Sequence, residues 1–220
     1  MALALFDLDH TLLSGDSDYL WGQYLVQKGL VDGEYYEQQN LKYYEDYKAG
    51  QLDIQAFLAF SLKPLSEHSM ADLETMHREF MAAYILPLIS SAARALVEKH
   101  RQASDTLVII TATNSFVTSP IAREFGIENL IATNAEILHG RYTGKVSGIP
   151  CFQAGKIERL SQWLAGTGLH GQDSWFYSDS RNDLPLLEQV DHPIAVDPDP
   201  VLLQHAEMKG WPVISLRNPT

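Results

Sequence analysis

Cysteine occurs once, at Cys151, so no disulfide can close within the chain. That fits a reducing compartment, and Cys151, beside Pro150, reads as a small apolar residue. Positive charge is scarce: 16 Lys and Arg stand against 28 Asp and Glu, a net charge of -12. Nucleic acid is thereby excluded as the main partner, because phosphate backbones need a basic surface. A small phosphorylated molecule stays open, since one metal and one lysine can reverse the field locally. No window reaches about 18 consecutive apolar residues, so nothing is expected to span a membrane. The first apolar stretch has no basic residue before it and is cut short by Asp7, too early for a secretory signal. Internal repeats and low-complexity tracts are missing too, and no obligate protein partner is evident. The expectation is a cytoplasmic protein.

What remains is an ordinary globular composition, 45% hydrophobic over 220 residues. That length suits one full α/β core with a smaller appendage. The chain begins with a short continuous apolar run, Ala2-Leu3-Ala4-Leu5-Phe6, the pattern of a buried parallel strand. It ends abruptly in Asp7-Leu8-Asp9-His10-Thr11. Residues two apart on an extended chain face the same way, so Asp7 and Asp9 are expected in one small volume. Carboxylates that close need a cation or a shared proton. Ligands in open α/β sheets bind beyond the carboxyl ends of the strands, which puts these acids where chemistry occurs.

From residue 18 to 86 the pattern is helical throughout. Met70, Leu73, Met76 or His77, Phe80 and Tyr84 form an apolar stripe, and Pro87 closes the segment. The segment carries eight of the ten tyrosines, and residues 15–86 hold twelve acids against five bases. It reads either as a solvated helical surface or as a lid whose acidic inner face favours an amine. After residue 87, strands and helices alternate. Thr106 to Thr111 and Trp175 to Ser178 are further buried strands. A short strand at Leu130-Ile131-Ala132 and a β-hairpin at residues 137–146 lie between them. Gly166 is expected to end the helix that Gly155-Lys156 opens. The fold class expected is therefore α/β. It has a doubly wound, Rossmann-like parallel sheet as core (residues 1–14 and 87–220), an inserted all-helical cap (15–86) and a β-hairpin.

Three strands end in residues with chemical potential: Asp7, Asp9 and Thr11; Thr111 and Asn114; Asp179, Asn182 and Asp183. Lys156 sits at a helix start, one residue before the apolar stripe, and so points away from the core face. Read as DLDHT, IITATN, GKIERL and YSDSRND, these four stretches, in this order, resemble the haloacid dehalogenase superfamily of phosphohydrolases. Insertion of helices directly after the first motif resembles its phosphoserine phosphatase-like branch, which includes histidinol-phosphate phosphatase-like members.

The resemblance implies a Mg²⁺-dependent phosphomonoesterase acting on a small phosphorylated metabolite. Asp7 would be the nucleophile that forms an aspartyl-phosphate. Asp7, Asp179 and the Asp9 carbonyl would hold Mg²⁺, with Asp183 orienting a ligand water. Asp9 would be the general acid, Thr111 would hydrogen-bond a phosphoryl oxygen, and Lys156 would neutralise charge. Asn182 reads equally as a phosphate contact or a cap, and Asn114 as a further substrate contact. Thr11 is expected to brace the loop and His10 to be a non-catalytic neighbour facing the lid.

In phosphoserine phosphatases a Glu nine residues after the nucleophile and an Arg in the lid read the amine and carboxylate of the substrate. Here Asp16 takes the first position, and Lys63 aligns loosely with the second, without the guanidinium fork that grips a carboxylate. The preferred reading is an amine-bearing phosphate such as histidinol phosphate, with phosphoserine second. Rival readings are a phosphotransferase or phosphomutase sharing the same intermediate, and a phospho-accepting receiver of the signalling type.

Overall fold

Four buried residues, Leu3–Phe6, form β1, the middle strand of a seven-stranded sheet. The computed structural model describes residues 2–169 and 173–217. The other strands are β2 (Thr106–Asn114), β3 (Asn129–Leu138), β4 (Arg141–Ser147), β5 (Ser174–Ser178), β6 (His192–Val196) and β7 (Val213–Ile214). Their order is β4-β3-β2-β1-β5-β6-β7, parallel except for β4 against β3. Side chains alternate across the central strands. Ala4, Phe6, Ile109 and Tyr177 face one core layer, while Leu3, Leu5, Val108, Ile110 and Phe176 face the other. The sheet is therefore covered on both faces, as a parallel sheet requires. The chain builds outward from β1 to β2 and β3 on one side, then returns to add β5, β6 and β7 on the other. That reversal at β1 is the switch point where α/β sheets open a crevice.

Between β1 and β2 the chain is helical: α1 (Ser17–Gln27), α2 (Gly33–Lys48), α3 (Ile54–Ser61), α4 (Lys63–Glu67) and α5 (Met70–Phe80). α6 (Ser91–Gln102) then leads into β2. Asp16, Asp32 and Asp53 cap α1, α2 and α3 by accepting backbone N–H groups, so part of the acidic excess starts helices. Leu73, His77 and Phe80 of the expected α5 stripe are buried. Met70 is 41% exposed, because it opens the helix beside its Ser69 cap. The remaining helices are α7 (Ser115–Glu124), α8 (Ala154–Thr167), α9 (Leu184–Leu187) and α10 (Pro200–Lys209).

Two local expectations differ from the structure. The short strand at 130–132 and the first arm of the hairpin are one strand, β3, which pairs with β2 at its start and with β4 at its end. Thr133, the residue after the expected short strand, continues it: its hydroxyl donates to the Ala112 carbonyl (2.7 Å) and accepts the Cys151 N–H (3.0 Å). A satisfied hydroxyl is no obstacle to a buried strand. Gly166 lies inside α8, and Gly168 (φ 69°) provides the left-handed C-cap.

Behind the sheet, His100 bridges two elements. Its Nδ1 pairs with Asp105 (2.9 Å) and its Nε2 with the Tyr177 hydroxyl (2.8 Å). Asp105 also accepts the Ala2 N–H at 2.8 Å, which ties the start of β1 into the network. His100→Ala is expected to cost about 2–4 kcal/mol, because it empties a buried site, strands the buried Tyr177 hydroxyl and removes one partner of the half-buried Asp105, whereas Tyr177→Phe should cost about 1 kcal/mol. Denaturant unfolding of the two variants measures this, and equal losses would show that the network is not a chain of dependent bonds.

Candidate active site

Asp7 continues the extended path of β1, donating its N–H to the Tyr177 carbonyl at 2.9 Å. His10 then adopts a left-handed conformation (φ 55°), which turns the chain out of the sheet toward α1. Asp7 is 4% exposed and lies at the switch point between the ends of β2 and β5.

Lys156 reaches this point from the first turn of α8. Gly155 before it has a structural reason: a Cβ there would sit 2.1 Å from the Pro150 carbonyl oxygen. Only glycine lets the chain pass that carbonyl and start the helix. The Lys156 ammonium, 2% exposed, donates to Asp7 Oδ1 and to Asp183, each at 2.7 Å. Asp183 also accepts the Ser178 hydroxyl at 2.7 Å. Thr11 braces the front: its hydroxyl lies 3.1 Å from Asp179 Oδ1 and 3.3 Å from Asp7 Oδ2, and accepts the Asp179 N–H.

Asp9 is held separately. Its Oδ1 accepts the Ser17 N–H at 2.6 Å, and its Oδ2 accepts the Thr113 hydroxyl at 2.7 Å. Burial pushes Asp9 up to about 6, Asp16 adds to the rise, and the Ser17 and Thr113 hydrogen bonds oppose it. Burial raises Asp7 to about 7; Lys156 works against this, while Asp183 and Asp9 reinforce it. Asp179 is raised well above the carboxylate range by burial and then by its Asp7 and Asp183 neighbours. Burial disfavours the charge on Lys156, but Asp183 and Asp7 outweigh it and raise its pKa.

Asp7 and Asp9 just after β1 and Thr111 and Thr113 of β2, with Asp16, Asp18, Tyr43, Tyr44, Tyr47 and Phe57 from the helical insertion, line one pocket. Thr111 is buried and accepts the Thr113 N–H at 3.2 Å. Asp16 lines the pocket while capping α1 through the Tyr19 N–H (2.8 Å).

Asn182 joins the two parts of the chain: it donates to the Tyr47 carbonyl of α2 and accepts from Gln153, both at 3.1 Å. His10 faces Tyr44 of the insertion, 3.2 Å from its hydroxyl. Asn114 caps α7 through the Val117 N–H and is not among the residues lining the pocket. Lys63 is exposed at the start of α4 and does not line it either. Thr113 was not singled out from the sequence, although it stands inside the ITATN stretch. Nor was Asp18, whose only signal was membership of an acidic helical segment.

The oxygen donors fit a hard cation. Asp7, Asp179 and Asp183 crowd together, with the Lys156 ammonium hydrogen-bonded to Asp7 and Asp183, while Asp9 is held beside them by Ser17 and Thr113. Among the described residues no group of three acidic, histidine or cysteine side chains is placed to hold a metal ion by itself. A Mg²⁺ site needs only one or two carboxylates, with water and substrate oxygens completing it.

The raised carboxyls set a pH dependence. In the folded chain Asp7 keeps its proton up to about 7, whereas the unfolded chain loses it near 3.8. More protons bound in the folded state means that stability falls as pH rises between those values. In chelator, the melting temperature of Asp7→Asn relative to wild type should therefore rise between pH 5 and pH 8, by at least about 3 °C. A difference independent of pH would show that Asp7 is not destabilised by ionisation.

No helix among the described residues is long and apolar enough to cross a membrane. A histidinol-phosphatase of Neisseria meningitidis serogroup C (strain 8013) is 51% identical over 219 residues, covering 98% of this chain and 99% of that protein. A crystal structure of a protein of unknown function from Bordetella pertussis Tohama I superposes with TM-score 0.93 at 47% identity, covering 98% and 99% of the two chains. A substrate-bound phosphoserine phosphatase superposes with TM-score 0.71 at 16% identity, covering 98% and 93%, a likeness of fold. The family model of haloacid dehalogenase-like hydrolases matches residues 4–188, a span that runs from β1 through Lys156 to α9. With that match the receiver reading falls away: the chain belongs to the haloacid dehalogenase-like hydrolase family, as an enzyme of its phosphatase type.

Proposed function

We propose that this enzyme is a Mg²⁺-dependent phosphomonoesterase that hydrolyses a small amine-bearing phosphate ester, histidinol phosphate in preference to phosphoserine, through a phosphorylated Asp7. The observation that carries the reading is the division between two neighbouring carboxyls. Asp7 is paired with a buried ammonium, while Asp9 is paired only with hydrogen-bond donors; burial raises both, to about 7 and about 6, so it is the partners that divide them. One suits a nucleophile and the other a proton carrier.

Asp7 would attack phosphorus as the bond to the leaving alkoxide breaks, with Asp9 giving that oxygen its proton. Asp9 would then take a proton from water, whose oxygen attacks phosphorus and breaks the bond to Asp7, releasing inorganic phosphate. Lys156 holds Asp7 in place and offsets the charge gathering on the phosphoryl group. The Thr111 hydroxyl would serve a phosphoryl oxygen. Side chains of Asp7 and Asp179 and the Asp9 carbonyl would hold Mg²⁺, with Asp183 behind them. When bound, the ion supplies positive charge to the phosphoryl oxygens. Residues 15–86 would act as the cap over the core of 1–14 and 87–220, seated on it by the Asn182–Tyr47 and His10–Tyr44 contacts.

Two findings support histidinol phosphate. The histidinol-phosphatase of N. meningitidis matches nearly end to end at 51% identity. Among the described residues lining the pocket there is no Arg or Lys to receive the carboxylate of phosphoserine, while Asp16 and Asp18 are there to receive a cation.

Turnover of histidinol phosphate, phosphoserine and a neutral ester with Mg²⁺ tests this directly. Histidinol phosphate should give the highest kcat/KM, chelation should abolish turnover reversibly, and Asp7→Asn should lower kcat by at least about 1,000-fold. Activity surviving in Asp7→Asn would refute the nucleophile. A phosphoserine preference would refute the substrate.

A further inference from the structure

The pocket holds one polar group that the chemistry above does not use. Asp18 lies in the first turn of α1, lines the pocket and is 8% exposed. Its Oδ2 is fully buried and has no hydrogen-bond partner among the described residues. A buried carboxyl oxygen without a partner is costly, and natural sequences keep one where something else supplies the partner. Asp16 is different, because its carboxylate is already engaged by backbone N–H groups of Tyr19 and Asp18.

The surroundings of Asp18 state what the missing partner is. Burial raises its pKa well above the carboxylate range, and the charges of Asp16 and Asp9 raise it further. Three carboxyls thus press together, and no Arg or Lys lines the pocket among the described residues. The walls beside them are aromatic. Tyr43 meets Phe57 edge-on at 5.4 Å, and Tyr19 lies 4.9 Å from Tyr44. Lys48 covers the Tyr44 ring at 4.5 Å and pairs with Glu45, without lining the pocket. Aromatic faces and an unpaired acid together favour a cation with a flat or compact apolar body.

We infer that Asp18 is the specificity-determining residue of this enzyme, taking the protonated nitrogen of the leaving alcohol, an imidazolium or ammonium, against the aromatic wall of α2 and α3. The assignment rests on the amine-bearing phosphate proposed above and deepens it. It moves the main cation contact from Asp16 to a residue two positions later. Asp18 reads the substrate and does not touch the phosphoryl group. Its loss should appear in KM and in the choice between esters, with the phosphoryl chemistry left to the core residues.

The test compares wild type, Asp16→Asn and Asp18→Asn on histidinol phosphate and on propyl phosphate, which carries no cation. The ratio of the two kcat/KM values should fall by about 30-fold or more in Asp18→Asn, mostly through KM, and by less in Asp16→Asn. Calorimetric titration with histidinol, which lacks the phosphate, should show the same weakening without any turnover.

Asp18→Leu separates recognition from folding. With no hydrogen bond at Oδ2 to lose and a buried carboxyl removed, its melting temperature should equal or exceed that of the wild type. An Asp18→Asn enzyme that keeps the wild-type ratio, or that binds histidinol as tightly, overturns the assignment alone. A lowered melting temperature in Asp18→Leu, with both esters lost in proportion, also overturns it, in favour of a structural role. A wild-type enzyme that does not prefer histidinol phosphate over propyl phosphate overturns the substrate reading and this assignment together.

Discussion

The Lys156 ammonium, buried between Asp7 and Asp183, is the contact on which the site depends. Removing one charge from such a group strands the others, because each is denied water. The fold supplies the contact from three directions. β1 delivers Asp7, the turn after β5 delivers Asp183, and α8 delivers the lysine across the gap. Gly155 is what permits that delivery, since any side chain there would strike the Pro150 carbonyl. Position in the sheet, backbone freedom at one glycine and a single buried cation are thus parts of one constraint.

That constraint also explains why two acids only two residues apart behave differently. Asp7 faces Lys156, so its ionised form has a partner inside the protein. Asp9 points the other way, to a backbone N–H and a threonine hydroxyl. Donors of that kind favour the anion less than an ammonium does, and burial still lifts both carboxyls, Asp7 to about 7 and Asp9 to about 6. The difference of role follows from partners, since burial is shared by both.

Much of this was legible in the chain. The apolar run before Asp7 is a strand because four adjacent apolar residues need cover on both faces, and the later runs repeat the pattern. At the first helix Asp16 or Ser17 reads as the cap, and Asp16 takes that role. Lys156 was expected to point away from the helix's apolar stripe, and it does, into the carboxyls. Less legible were features that depend on tertiary partners. Thr133 continues a strand because its hydroxyl is satisfied by Ala112 and Cys151, which no local pattern shows. Asn182 holds the Tyr47 carbonyl, 135 positions away, so its choice between cap and contact could not be made from spacing. Thr113 and Asp18 looked like ordinary polar residues. Their significance lies in what they face: Asp9 in one case, nothing in the other.

The start of α1 brings the two halves of the chemistry together. Three consecutive residues do separate work there: Asp16 caps the helix, Ser17 gives its N–H to Asp9, and Asp18 faces the pocket unpaired. Asp9 is raised in part by the charge of Asp16, and Asp18 by both of the others. A cation seated against Asp18 would offset the mutual repulsion of these carboxyls. A neutral ester of equal size would leave that repulsion in place even if it filled the pocket. One turn of α1 thus caps the helix, holds the proton carrier and faces the leaving group.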